Sequence, residues 1–208
     1  LLDAPRAVAL EELLASGEAH EVRACLARAV AALARADAEL RMQNLNYSDA
    51  SFSASRWPAA SDVQAALYWA LEHDPSSAAA LANTSPILLL PKSEQRDCAE
   101  RLSKWAEQPD LLPAAAGEAL FAAAILKRRQ ERPCQRADLY MAAAERYAAA
   151  GRMVDRCHAL LFSVWDGGHE DAAAVLEQVR SLKDPSWPPR MHSLLAIAEA
   201  ATLGRANG

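Results

Sequence analysis

Alanine supplies 49 of the 208 residues of this chain, whereas glycine supplies only seven, and this balance constrains the fold more than any other feature. Alanine is the strongest helix former because it loses no side-chain entropy when it enters a helix. Apolar residues recur at spacings of three and four, and no stretch shows the period of two that is typical of a strand. The sequence therefore predicts an all-α chain whose small side chains let neighbouring helices approach closely.

Capping residues and helix breakers divide the chain into about ten helices. Ser61 is predicted to cap one helix, which ends at Asp74-Pro75 because a residue before proline avoids helical geometry. Ser76 or Ser77 is predicted to begin the next. Short turns between helices imply antiparallel neighbours. The expected helices cover about 6–15, 18–42, 61–73, 76–85, 93–108, 113–130, 134–150, 152–166, 169–182 and 187–203.

The longest of these helices, from about Glu18 to Met42, has apolar residues spaced by three and four, as on one face of a helix. They include Val22, Leu26, Ala29, Val30, Leu33, Ala36 and Leu40. In a later helix, Leu67 and Trp69 lie among alanines on an apolar face, and we expect both to be core residues.

Residues 43–58, QNLNYSDASFSASRWP, are polar and predict a loop. A structureless loop of that length is unusual inside a domain. We therefore expect that it either packs through Tyr47, Phe52 and Trp57 or lies at the boundary between two parts of the chain. We expect residues 1–58 to form N-terminal helices and a polar loop, and residues 59–208 to form one continuous helical-repeat region.

Two similar stretches suggest an internal repeat: ALFAAAILKRR begins at Ala119 and CHALLFSVW begins at Cys157. Their offset of about 37 residues is close to the 34-residue tetratricopeptide unit, although a chance helical hairpin would look similar. A single hairpin cannot bury its apolar face, so stacking must complete the core. We therefore expect antiparallel hairpins stacked as a tetratricopeptide-like right-handed superhelix.

In a tetratricopeptide-like register, the first helix of each hairpin lines a concave groove. The candidate partner-binding residues on these helices are Phe121, Ile125, Arg128, His158, Phe162 and Trp165. Aromatic residues with an arginine are frequent anchors of partner sites. The alternative is simple core packing, with the basic run from Lys127 to Arg132 complementing the dipole at a helix C-terminus.

No motif predicts catalysis. The five histidines lack HxxxH and HExxH spacing, and Cys157 and His158 point roughly 100° apart on a helix. The sequence also lacks GxxxxGK[ST], GxGxxG and GxSxG, so we expect no catalytic residue, no cofactor and no metal. Four widely spaced cysteines allow two disulfides, but an alanine-rich helical chain favours reduced thiols.

Charge and hydropathy indicate a cytoplasmic protein that contacts neither nucleic acid nor membrane. The net charge is −5 with a pI near 5.6, which disfavours a nucleic-acid surface. No apolar run approaches the roughly 18 residues that span a bilayer, and charges interrupt the start where a signal peptide would need an apolar run. The chain begins Leu-Leu-Asp without methionine, which suggests a fragment of a longer protein.

The segment DVQAALYWALEHDP, residues 62–75, resembles the pattern D-N-L-R-A-A-L-x-W-A-L-E. That pattern belongs to the tetratricopeptide-like helical region behind the ATPase module of bacterial winged-helix and STAND-type transcriptional regulators. Gln64 stands where arginine is usual. The matching positions are Asp62, Ala65, Ala66, Leu67, Trp69, Ala70 and Leu71. A long alanine-rich helix, LARAVAALARADAELR, and the two repeat-like hairpins extend the resemblance over most of the chain.

The resemblance implies a sensor or scaffold region that binds an effector or partner and controls an ATPase. None of the regulator's nucleotide chemistry can be assigned to these residues. We therefore expect a non-catalytic domain for protein–protein or effector interaction within a larger bacterial regulator. The alternative is a stand-alone helical adaptor or scaffold that binds a protein partner. A P-loop and a winged helix upstream in the full open reading frame would favour the regulator.

Overall fold

The computed structural model describes residues 8, 11–13, 15–43, 57–88, 90–129, 133–166 and 170–206. Within these ranges the chain forms ten complete α-helices and no strand, so the prediction of an all-α fold is confirmed. The helices are α1 (Ala19–Gln43), α2 (Ala60–His73), α3 (Pro75–Ala82), α4 (Ser85–Leu88), α5 (Lys92–Ala106), α6 (Pro113–Leu126), α7 (Pro133–Ala149), α8 (Met153–Trp165), α9 (Ala172–Ser181) and α10 (Pro189–Ala206). A 3₁₀ turn, Lys127–Arg129, follows α6 directly.

Two predicted helix starts are wrong. The α2 helix begins at Ala60, and its N-cap is Ala59, which makes no side-chain capping hydrogen bond, rather than Ser61. The α3 helix begins at Pro75, where a missing N–H costs nothing. Asp74 caps it, because its Oδ1 accepts hydrogen bonds from the backbone N–H groups of Ser76 and Ser77 at 3.1 Å each. Asp74 is thus the single residue between α2 and α3.

Consecutive helices from α5 to α8 pack side by side, as expected for antiparallel neighbours. After α8, both α9 and α10 pack back against it, and α3 packs against α6. The repeat geometry and handedness of the predicted tetratricopeptide-like superhelix stay predictions. The predicted loop at 43–58 lies outside the described residues except at its ends, so the proposed division at residue 58 also stays a prediction.

The α6 helix is the centre of the molecule, because two hydrophobic clusters meet on it. Ala119 and Ala123 belong to one cluster, and Phe121 and Ala124 to the other. The largest fully buried side chains are Tyr140, Leu67, Leu81, Ile87, Leu102, Leu126, Leu160, Leu161, Met191, Val30, Val63 and Val164. Leu67 is therefore a core residue as predicted. Trp69 packs against the same core but remains partly exposed, with its ring stacked on His73 at 4.8 Å between centroids.

The α1 helix packs across α2 and α3 and reaches α10 at the other end of the array. Its buried residues are Ala27, Val30, Ala31, Ala34 and Asp37. Of the apolar positions that the spacing selects, only Val30 is buried; Val22, Leu33 and Leu40 are exposed. The alanine face of α1 faces the protein because small side chains permit close approach to α3, which leaves the leucine face toward solvent.

Candidate functional site

A groove opens between α1 and α3 and leads inward toward α6 and α8. Its volume is about 340 Å³, and Ala34 and Ala38 from α1 face Ala79 and Ala80 from α3 across it. These small side chains leave the space open where larger ones would close it. Polar and charged residues complete the lining, namely Arg35, Glu39, Arg41, Ser76, Asn83, Glu118 and Arg152.

The groove continues into a smaller pocket of about 140 Å³ beneath the C-terminal end of α1. Both cavities include Arg41, Asn83, Glu118 and Arg152, so together they form one continuous depression, called the cleft below. The other residues lining the inner pocket are Ala38, Met42, Phe121, Tyr147, Asp155, His158 and Arg190. Six helices or their ends therefore contribute to the site: α1, α3, α6, α7, α8 and α10.

Two arginines of α1 fix one wall of the cleft to α3. Arg35 donates through Nη2 to the backbone oxygen and the hydroxyl of Ser76, both at 3.1 Å. Arg41 donates through Nη2 to the backbone oxygen of Asn83 at 3.0 Å, and its Nε lies 3.0 Å from Oδ2 of Asp37. These contacts join residues about forty positions apart in the chain and set the width of the groove.

The floor of the cleft holds an ion-pair cluster around Arg152. Its Nη1 lies 2.9 Å from Oε1 of Glu118, and its Nε lies 2.8 Å from Oδ2 of Asp155. The guanidinium also lies over the Tyr147 ring, 5.2 Å from the centroid. Burial raises the pKa of the Glu118 carboxyl above its ordinary value, although Arg152 opposes the rise. The floor thus presents paired charges of both signs in a partly desolvated setting.

His158 lies at the inner end of the cleft. Its ring centroid is 5.0 Å from that of Phe121 and 4.9 Å from that of Phe162. Burial lowers the pKa of His158 to about 3, and the positive charges of Arg190 and Arg41 act in the same direction. The imidazole is therefore neutral near pH 7, with one nitrogen that donates and one that accepts.

The Nε2 atom of His158 is enclosed and has no hydrogen-bond partner among the described residues. Most buried polar atoms in proteins are satisfied, because an unpaired one forfeits its hydration without compensation. A bound polar group would complete the hydrogen bonding of this nitrogen only if the side chains that enclose it moved aside.

The six residues predicted for the groove come together in one row. Phe121 contacts His158 and Phe162, and Phe162 lies 5.2 Å from Trp165 between centroids. Arg128 lies over the Trp165 ring at 5.2 Å. Ile125 is partly buried and packs against the same cluster.

The two ends of this row have different surroundings. Phe121 and His158 line the cleft. Arg128 is about half exposed, and its Nε lies 2.7 Å from Oδ1 of Asp166. That contact gives Arg128 a structural role at the end of α6. A role of the six residues in partner binding stays a prediction.

Sequence reasoning missed most of the residues on the cleft floor. Glu118 lies on α6, Arg152 directly before α8 and Arg190 on α10, and only the packing of these helices against one another brings the three residues together. One signal was available: Glu118 is the single charged residue in α6, PAAAGEALFAAAIL. A lone carboxylate in a helix that is otherwise apolar and central to the core needs a buried partner, which Arg152 supplies.

The two buried cysteines, Cys98 and Cys157, do not resemble nucleophiles. Cys25, Cys98 and Cys157 are free thiols, and the last two are buried. Burial raises the pKa of Cys98 above its ordinary value and that of Cys157 to about 11, which disfavours the reactive thiolate.

Among the described residues, no group of three or more His, Cys, Asp or Glu side chains could hold a metal ion. No helix within the described ranges has the length and apolarity needed to cross a bilayer.

Comparisons with known proteins give no family for this chain. No protein-family model, no curated protein and no solved structure matches it.

Proposed function

We propose that this chain is a non-catalytic helical interaction domain whose cleft binds a small polar effector. In this proposal it is the sensor part of a larger bacterial, cytoplasmic transcriptional regulator, with its hairpins stacked in a tetratricopeptide-like array. The observation that supports the binding site most strongly is the unsatisfied Nε2 of His158 at the end of the inner pocket.

The lining suggests the chemistry of the effector. A neutral imidazole offers a hydrogen bond, while Arg152, Glu118 and Asp155 offer charges of both signs. The groove and pocket together reach the size of small-molecule sites, about 300–1,000 Å³. This combination suits a small molecule with a hydrogen-bonding end for His158 and a charged group for the arginine cluster.

The position of the cleft suggests how binding would be signalled. The α1 helix forms one wall and also contacts α2 and α10, so its position affects both ends of the array. A ligand that contacts α1, α3 and α8 together would stabilise the packing of these three helices by its affinity for that arrangement. The regulator would sense the effector as a change in the stability of this packing.

Methionine-methyl NMR tests the proposal. Met42 lines the inner pocket, whereas Met153 is exposed outside it and serves as an internal reference. In a screen of small polar metabolites, a true effector shifts the Met42 methyl resonance, leaves that of Met153 in place, and loses affinity in His158→Phe. If no compound moves Met42, or if His158→Phe binds the hit unchanged, the cleft is not the effector site.

The regulatory context has a separate test, the full open reading frame. An upstream P-loop and winged helix would agree with the resemblance to STAND-type regulators. A reading frame without either module would leave the domain as an adaptor and would remove the regulatory part of the proposal.

A further inference from the structure

One face of α1 is apolar and yet exposed to solvent. Val22, Leu33 and Leu40 are 46%, 46% and 47% exposed, and Ala29 and Ala36 are exposed beside them. The leucine stripe is defined here as Val22, Leu26, Ala29, Leu33, Ala36 and Leu40. Leu26 is partly buried. A contiguous stripe of this kind marks an interaction surface more often than scattered apolar residues do.

The stripe follows a heptad pattern. Leu26, Leu33 and Leu40 are seven residues apart, and Val22, Ala29 and Ala36 form a second series with the same spacing. Alternating spacings of three and four are those of the a and d positions of a coiled coil. From Val22 to Leu40 the stripe spans about 27 Å of helix at 1.5 Å per residue.

We infer that the leucine stripe binds the same stripe of a second copy of this chain, with the two α1 helices antiparallel. In the antiparallel heptad register, Leu26 faces the partner's Ala36 and Leu33 faces the partner's Ala29. Leu40 faces the partner's Val22 in the end layer. A two-fold axis repeats each pair, so the surface is complementary to itself.

Side-chain size favours this register over a parallel one. Each antiparallel layer sets a larger side chain against a smaller one, which keeps the helix separation even and fills the seam. A parallel pair would set leucine on leucine and alanine on alanine in alternate layers. The alanine layers would then leave gaps between helices held apart by the leucine layers.

Charges beside the stripe agree with the antiparallel register. Glu39 is exposed and would lie opposite the partner's Cys25, within about one turn of the partner's Arg28. The two-fold axis repeats this approach of an acidic to a basic residue.

The size of the stripe indicates how stable the dimer is. Six residues per copy would bury roughly half of the about 800 Å² per partner typical of stable complexes. The dimer is therefore expected to be weak and reversible.

Sedimentation velocity over a concentration series measures this association without depending on the cleft. The wild-type chain is expected to shift from one to two copies as its concentration rises through the micromolar range. Leu33→Glu should raise the dissociation constant at least about tenfold. Leu112→Glu, at a leucine that is 70% exposed but off the stripe, should leave it unchanged. Circular dichroism checks that both variants remain folded.

Disulfide trapping tests the register. In Glu39→Cys, the introduced thiol should form an intermolecular disulfide with the exposed native Cys25 under mild oxidation, identified by mass spectrometry of the linked peptides. Glu21→Cys lies on the same flank of α1, but in this register its thiol is about 27 Å from the partner's Cys25 and should not react. Equal trapping by both variants, or a folded chain that stays monomeric at every concentration, would overturn the proposal.

Discussion

Residue 117 is a glycine, and the Tyr147 ring occupies the space that a side chain at this position would need. A Cβ built on Gly117 would lie 2.9 Å from Cδ1 and Cε1 of Tyr147, too close for an undistorted contact. The glycine lies inside α6, where it costs about 1 kcal/mol of helix propensity relative to alanine. The close approach of α7 explains why it is there: the tyrosine packs against the α6 backbone beside Glu118, at the cleft floor.

Gly117→Ala is therefore predicted to lower the free energy of unfolding by about 1–2 kcal/mol, because overpacking costs more than the gain in helix propensity. Urea denaturation measures the change. Gly204→Ala is the matched control in α10, where a Cβ meets nothing within 4 Å, and it should stabilise by up to about 1 kcal/mol. Changes of the same sign in both variants would show that the Tyr147 contact does not constrain residue 117.

His158 predicts a pH dependence of stability. Its folded-state pKa of about 3 lies below its ordinary value of 6.5, so between these values the unfolded chain binds a proton that the folded chain excludes. The stability is complete above pH 6.5 and falls as the pH drops toward 3, by at most about 1.4 kcal/mol per pH unit.

Urea denaturation between pH 7 and pH 5 checks this dependence by comparing variants, because the Glu118 carboxyl, whose pKa burial raises, contributes to all of them alike. His158→Gln should flatten the slope, since it removes the group that titrates. Phe162→Leu, a neighbouring substitution that keeps His158, should lower stability but retain the slope. Equal slopes in the wild type and His158→Gln would contradict the assignment.

Between elements, Asp166 joins the ends of α6 and α8 to α7. Its side chain is 4% exposed and lies 2.7 Å from Nε of Arg128 and 3.5 Å from Nε of Arg136. Tyr140 donates its hydroxyl to Oδ2 of Asp166 at 2.9 Å. Arg136 also donates to the backbone oxygens of Arg128 and Asp166 at 3.0 and 2.8 Å, so it caps two helix ends that would otherwise lack donors.

Asp166→Ala is expected to lower the free energy of unfolding by about 3–5 kcal/mol, because it removes the carboxylate that balances the buried guanidinium of Arg136. Thermal and urea denaturation both measure the loss. Asp138→Ala, at an exposed position on α7, should change stability by less than about 0.5 kcal/mol. A comparable loss in both variants would indicate that the cluster has no special role.

At the scale of the whole molecule, the helices were predictable and the cleft was not. Alanine content, prolines and glycine turns act locally, so the positions of α5 to α10 follow from short stretches of sequence. The cleft depends on α1 crossing α3 and α10, which brings Arg41 near His158 although more than a hundred residues separate them. The spacing of apolar residues predicted an apolar face on α1. Spacing alone does not show whether α3 buries that face or leaves it exposed to solvent.

The proposed function requires that an effector completes the hydrogen bonding of His158, and ¹⁵N-histidine NMR tests this most directly. On adding the hit from the metabolite screen, the Nε2 resonance of His158 should shift as the nitrogen gains a partner. The resonances of His20, which lies outside the cleft lining, should stay in place. If the hit binds at saturating concentration while the Nε2 resonance of His158 does not move, the cleft is not the site of recognition and the central claim is wrong.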